Sequence, residues 1–130
     1  MTAIVRGTAT APMYAQGMRN AANSLAHGTL PADGFPAVEY IGDVYDTVGS
    51  LDGVLGSLGQ SLEQLGAFVS RESSGGRLRH DQGQHPHETA EEAAEKLEEA
   101  ARLLADARRA LGASHSALGH LGTADPGPVG

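Results

Sequence analysis

Residues 41–69 read IGDVYDTVGSLDGVLGSLGQSLEQLGAFV. Through this stretch an apolar residue falls at alternating steps of three and four: Ile41, Val44, Val48, Leu51, Leu55, Leu58, Leu62, Leu65 and Val69. Such a run is the a/d seam of a sustained heptad repeat, the pattern of a long helix packed lengthwise on other helices. A second stripe with the same steps lies at Ala90, Ala93, Leu97, Ala100, Leu104, Ala107, Leu111, Ser114, Leu118 and Leu121. Together they predict an all-α protein built on a long antiparallel helical hairpin.

Upstream, Thr10-Ala11-Pro12 offers a cap and a first-turn proline, and Tyr14, Met18, Ala21 and Leu25 then recur at helical spacing. A shorter helix is predicted over about 11–27, ended by Gly28 in a left-handed conformation. Residues 28–35 read as a loop, and Pro36 opens the long helix over 36–71, ~50 Å in length. Ser73-Ser74-Gly75-Gly76 ends it, and a polar, mobile loop is expected over 73–87. Thr89 and Glu92 have capping-box spacing and predict a third helix over 88–121. Acids crowd its first half and Arg102, Arg108 and Arg109 come later, an order that suits the helix dipole. Glu92–Lys96 and Glu98–Arg102 are spaced to pair. The layout is a flexible N-terminus over 1–10, one helical domain over 11–121 and a disordered tail over 122–130.

Composition narrows the function classes. The 130 residues include only five aromatics, so a broad core is not expected, whereas helix seams need only Leu, Val and Ala. The net charge of -7 argues against a nucleic-acid binder, because phosphate binding needs clustered cations. Without cysteine there is no disulfide, thiolate metal site or thiol nucleophile, and the cytoplasm is the default compartment. The N-terminus lacks a signal-peptide pattern and no stretch approaches the ~20 apolar residues of a membrane span. Arginine outnumbers lysine eight to one, the usage of a GC-rich bacterial genome.

Glycine interrupts the long helix at Gly42, Gly49, Gly53, Gly56, Gly59 and Gly66, each costing ~1 kcal/mol relative to alanine in an exposed helix. None lies on the a/d stripe. Gly42, Gly49 and Gly56 are read as one flank and Gly59 and Gly66 as the other, both open to close approach by a partner helix. Ala94, Ala101, Leu103, Ala110 and Ala117 widen the apolar face of the third helix, which implies a second neighbour for it. The first helix or another copy of the hairpin would serve. A homo-oligomer is therefore expected, a dimer above all, with Val54, Ala94, Ala101, Leu103, Ala110, Gly49 and Gly56 at its interface.

Histidine is the one residue type that invites chemistry. His80, His85 and His87 share the 73–87 loop with Asp81 and Glu88, and these are suitable zinc or nickel ligands. Their spacing fits no established site, so a solvated loop is the expected reading. His115 and His120 are five apart on one helix and point away from each other, with His115 the closer to the stripe. Gly53-Val54-Leu55-Gly56-Ser57-Leu58-Gly59 lacks the lysine of a phosphate loop and sits in heptad register. Arg71, Arg77, Arg79 and His80 form a small basic patch. Nothing resembles a nucleophile elbow or an acid/base pair, and neither cofactor nor enzymatic activity is expected.

The segment Ser114-His115-Ser116-Ala117-Leu118-Gly119-His120-Leu121-Gly122, with Leu65-Gly66-Ala67-Phe68-Val69, resembles a group of short, uncharacterised helical proteins of actinomycetes. That resemblance covers the two long helices and implies fold and source alone. In size and plan the chain is also similar to the WXG family of secreted hairpins. It has no tryptophan for their Trp-X-Gly turn, and a long loop replaces their tight bend. The expected function is that of a non-enzymatic structural or adaptor protein acting through helix–helix contacts with itself and an unknown protein partner. A secreted hairpin cargo and a metal-dependent protein using the loop histidines are the alternatives.

Overall fold

The Asp43 carboxylate accepts the backbone N–H groups of Glu39 and Tyr40 at 2.8 and 3.1 Å, and this bond pair sets where the long helix begins. Those amides hold the carboxyl below its usual value. In the computed structural model, which describes residues 9–124, the helices are α1 (Ala11–Gly28), α2 (Ile41–Ser74) and α3 (Pro86–Leu118), with one 3-10 turn at Pro31–Asp33. The fold is the all-α hairpin with an N-terminal helix that the heptads predicted. The expected flexible N-terminus and disordered tail fall largely outside the described residues.

Several boundaries moved, each for a local reason. Pro36 does not open α2: Val38 N–H bonds to Phe35 O at 3.0 Å in a turn, after Gly34 and Phe35 have taken positive φ of 74° and 53°. The acid three residues after Tyr40 marks the true start. Gly28 is not the left-handed terminator expected of it. Its carbonyl accepts Ala37 N–H at 2.7 Å, and a Cβ there would lie 2.7 Å from the Ala37 Cβ. Gly28 is needed for room. Thr29 ends α1 instead, its N–H and hydroxyl both bonding to Leu25 O. The Thr89 cap is likewise bypassed, since α3 starts at Pro86 with that proline in its first turn, where a missing N–H costs nothing. At the other end Gly119 N–H closes on His115 O at 3.0 Å, so Leu121 lies beyond the helix.

α2 and α3 form an antiparallel pair. Going up α2 in heptad steps and down α3 in the same steps, Tyr45 meets His115, Asp52 meets Arg108, Gly59 meets Ala101 and Gly66 meets Ala94. Ser73 and His87 continue the row at the loop end, 2.9 Å apart. The inner face of α3 is therefore Ala90, Ala94, Leu97, Ala101, Leu104, Arg108, Leu111, His115 and Leu118, all but Arg108 at least half-buried. Of the predicted leucines, Leu97, Leu104, Leu111 and Leu118 are inward and Leu121 is exposed beyond the helix, and the residues between the inward four are displaced by one. Ala93, Ala107 and Ser114 are exposed, and Ala94, Arg108 and His115 take their places.

The apolar face of α2 is shared between two neighbours. Leu55 faces α3, the glycine row lies to the same side, and Leu51, Val54, Leu58, Leu62, Leu65 and Phe68 lie on the α1 side. α1 runs antiparallel to α2, its start beside Leu65 and Phe68 and its end beside Leu51 and Val54. No Cα of α1 comes within 8 Å of α2 or α3. Of the two candidate second neighbours for α3, the first helix lies beside α2 instead.

Candidate interaction surfaces

Three places hold the side chains with something to do, and the first is the α2–α3 seam. Gly49, Gly56, Gly59 and Gly66 all lie on one side of α2, facing α3, which corrects their division between two flanks. A Cβ on Gly66 would sit 3.5 Å from Ala94 O, and one on Gly59 3.9 Å from Ala101 O. Small residues on both helices bring the axes together. Ala101 and Ala90 are the buried apolar side chains among the described residues, and Gly66 is buried with them. Four of the expected interface residues, Ala94, Ala101, Gly49 and Gly56, are taken up inside the chain by this seam.

Toward the open end of the hairpin the seam turns polar. The Arg108 guanidinium donates to both oxygens of Asp52, at 3.2 and 3.1 Å, a bidentate pair that fixes orientation as well as distance. It crosses above Gly56, where an added Cβ would lie 2.8 Å from a guanidinium nitrogen. Arg108 holds the Asp52 carboxyl below its ordinary value, and Asp52 in turn raises Arg108. One heptad on, the His115 ring stacks on Tyr45 with centroids 3.9 Å apart and 16° between planes, in the notch that Gly49 leaves. These four side chains lock the register of the hairpin. Of the four, the sequence singles out His115, as the histidine nearest the stripe.

The second place is the histidine loop, and the structure does not gather its members. The His80 ring accepts Gln82 N–H at 3.0 Å and lies 3.3 Å from Asp81. His87 is on α3, between Ser73 and Glu91, while His85 precedes the helix. Among the described residues no three His, Cys, Asp or Glu side chains are grouped to hold a metal ion. The basic patch is partly neutralised: Glu72 pairs with Arg77 at 2.8 Å, and Arg71 lies over the Phe68 ring. Lys96 turns forward to Glu99 at 3.0 Å rather than back to Glu92, and this raises its pKa.

The third place is an apolar groove between α1 and α2. One section of about 540 Å³ is lined by Tyr14, Met18, Leu58, Leu62, Leu65 and Phe68 among others. A second of about 400 Å³ continues past Met18 to Leu25, Leu51 and Val54. No charged side chain lines either section. Its walls remain open, with Tyr14 67% and Phe68 52% exposed. Of the expected interface residues, Val54 belongs to this groove. Leu103 and Ala110 are exposed on the far side of α3, and Leu103, 60% exposed, sits among Glu99, Arg102, Asp106 and Arg109. No described helix is long and apolar enough to cross a membrane.

The chain matches no protein-family model, no curated protein and no solved structure.

Proposed function

We propose that this chain is a non-enzymatic structural or adaptor protein that works by self-association, with a dimer as its basic unit. The observation that carries this reading is the near-absence of an interior. Among the described residues the buried ones are Ala90, Ala101 and Gly66. Two buried alanines and a buried glycine do not make a core, and leucines left partly exposed stabilise a helix less than buried ones until something covers them. A second chain supplies that cover. The seam and the groove contain no paired acid and base, no nucleophile with an activating neighbour and no ring of metal ligands, so helix contacts are the chemistry on offer.

Light scattering of the unmodified protein at micromolar concentration tests the reading. The expected mass is twice the 13.3 kDa of the chain. A clean monomer mass that still melts cooperatively overturns it.

A further inference from the structure

We infer that Ser73 is an acyl-acceptor site, with the His87 imidazole as the base that takes its proton and Glu91 as the residue that positions the ring. The inference is independent of self-association. It adds a covalent modification at the loop end of the hairpin, beyond the seam and the groove.

The Ser73 hydroxyl does not go where such groups ordinarily go. Serine and threonine in or beside a helix commonly bond back to a carbonyl one turn earlier, as Thr29 does to Leu25 O at 2.9 Å and Thr47 to Asp43 O at 2.6 Å. Ser73 instead reaches across to the other helix, with its Oγ 2.9 Å from His87 Nδ1.

The two nitrogens of that ring are chemically distinct. His87 Nε2 lies 3.6 Å from Glu91 Oε1, one turn along α3. An ionised carboxylate only accepts hydrogen bonds, so it favours the tautomer that carries the ring proton on Nε2. Nδ1 then presents a lone pair, and it is the nitrogen that faces Ser73. A hydroxyl is a weak nucleophile until an adjacent base takes its proton, and a hydroxyl, an imidazole and an orienting carboxylate in this order supply that base.

Both ends of the contact are fastened. α2 ends one residue after Ser73, where Gly75 N–H bonds to Arg71 O at 3.0 Å and Gly76 N–H to the Ser73 carbonyl at 3.1 Å. Arg77 folds back on the same turn, donating to the Glu72 carboxylate at 2.8 Å and to Arg71 O at 3.3 Å. His87 lies in the first turn of α3, directly after Pro86. Nucleophile and base thus stand on two helix ends, which hold a side chain more precisely than a loop does.

Charge selects the donor. Glu72 precedes Ser73 and Glu88 follows His87, Glu91 lies beside the ring, and Arg77 is already committed to Glu72. A phosphoryl donor brings negative charge that must be held by cations, whereas a neutral acyl donor needs none. The donor class is therefore an acyl thioester. Ser73 Oγ bonds to the carbonyl carbon and its proton passes to His87 Nδ1. The carbon–sulfur bond breaks, and the departing thiolate takes that proton from the ring. The products are an O-acyl serine and a free thiol, with His87 neutral again.

The probe is p-nitrophenyl acetate, a neutral acyl donor with a phenolate leaving group, applied to the full chain and followed by peptide mapping. Acetylation of Ser73 is expected to be about a hundredfold faster than that of Ser74, the exposed serine beside it, a modest return for a positioned base. His87→Ala is expected to bring Ser73 down to the rate of Ser74. Added imidazole should then restore its lead, which a purely structural role for the ring would not allow. Glu91→Gln is expected to slow the labelling, and Glu91→Asp to recover part of the loss. Equal labelling of Ser73 and Ser74 in the unmodified chain overturns the inference without any variant. So does a Ser73 rate that His87→Ala leaves unchanged. Neither outcome bears on the mass seen by light scattering, so self-association is tested apart from it.

Discussion

Leu65 and Gly66 are adjacent in sequence and lie on opposite sides of the boundary that divides α2. Gly66 is buried against Ala94 and Leu97, whereas Leu65 is 47% exposed at the edge of the groove. The difference runs the length of the helix. On the α3 side, glycine and alanine bring the backbones close enough that a Cβ on Gly66 would lie 3.5 Å from the Ala94 carbonyl oxygen. On the α1 side, Leu, Met, Tyr and Phe hold two helices apart, with all Cα pairs beyond 8 Å, and the space between stays open. Small side chains close a contact within one chain. Large ones need a further partner to close theirs, because burial stabilises in proportion to the area removed from water.

Adding volume on each side is the strongest way to break this contrast. Ala101→Leu forces three extra carbons into a seam where Ala101 is only 6% exposed, and should destabilise the protein by about 1–3 kcal/mol in a denaturant melt. Ala22→Leu, on the groove side, has room for the same atoms within the single chain and should change the stability of the monomer, melted at high dilution, by no more than about 0.5 kcal/mol. Equal losses from both would show that the groove is as closed as the seam.

The glycines offer a finer comparison. Gly53→Ala and Gly59→Ala meet nothing closer than 3.9 Å, so the gain in helix propensity should appear nearly whole, about 1 kcal/mol each. Gly49→Ala and Gly56→Ala would press on His115 at 2.9 Å and Arg108 at 2.8 Å, so their gain should be smaller or reversed. Thermal melts of the four variants rank them directly. A uniform gain would mean that the His115 and Arg108 side chains move aside freely and do not set the register.

A weaker effect is expected from acid. Asp52 has a depressed pKa in the folded protein, so its contribution is present above its ordinary value of 3.8 and is lost as pH falls through the lower, folded value. Asp52→Asn should therefore lower the melting temperature slightly at pH 7, with the gap to the unmodified protein closing only below pH 3.8. A constant gap across that range would remove the ion pair from the account. Smallest of all should be the joint replacement of His80, His85 and His87 by alanine. It removes a bond to Gln82 N–H and one to Ser73, both at the surface, and should leave oligomeric state unchanged and melting nearly so. A drop of many degrees, or loss of a stoichiometric metal on elemental analysis, would show the loop to be a built site.

Where the reading of α3 slipped, the cause is chemical. Ala93 and Ala94, and Ala100 and Ala101, are identical neighbours, so hydropathy alone cannot say which of each pair faces inward. The stripe ran on to Ala107 and Ser114 because both are small, while a charged Arg108 looked like surface. What turns Arg108 and His115 toward α2 is Asp52 and Tyr45, 56 and 70 positions away. A signal was present in retrospect: Ala94, Ala101, Arg108 and His115 are seven apart, as are Tyr45, Asp52, Gly59 and Gly66, and the two rows match in reverse order. At the start of α2, a first-turn proline outweighed Asp43, though the carboxylate makes the bonds and the proline only permits them.

The number of helices, their approximate spans and the leucine positions follow from the sequence by itself, because a helix imposes one period on side chains that must leave water and that period needs no partner to be read. Which glycines and alanines form the seam, that α1 lies on α2 rather than on α3, and that an uncharged groove remains between them were decided by the tertiary structure. Those outcomes depend on how closely two axes approach. That distance is set by pairs of residues far apart in the chain, with Gly66 against Ala94 closing one side of α2 and Leu65 with Phe68 holding the other open.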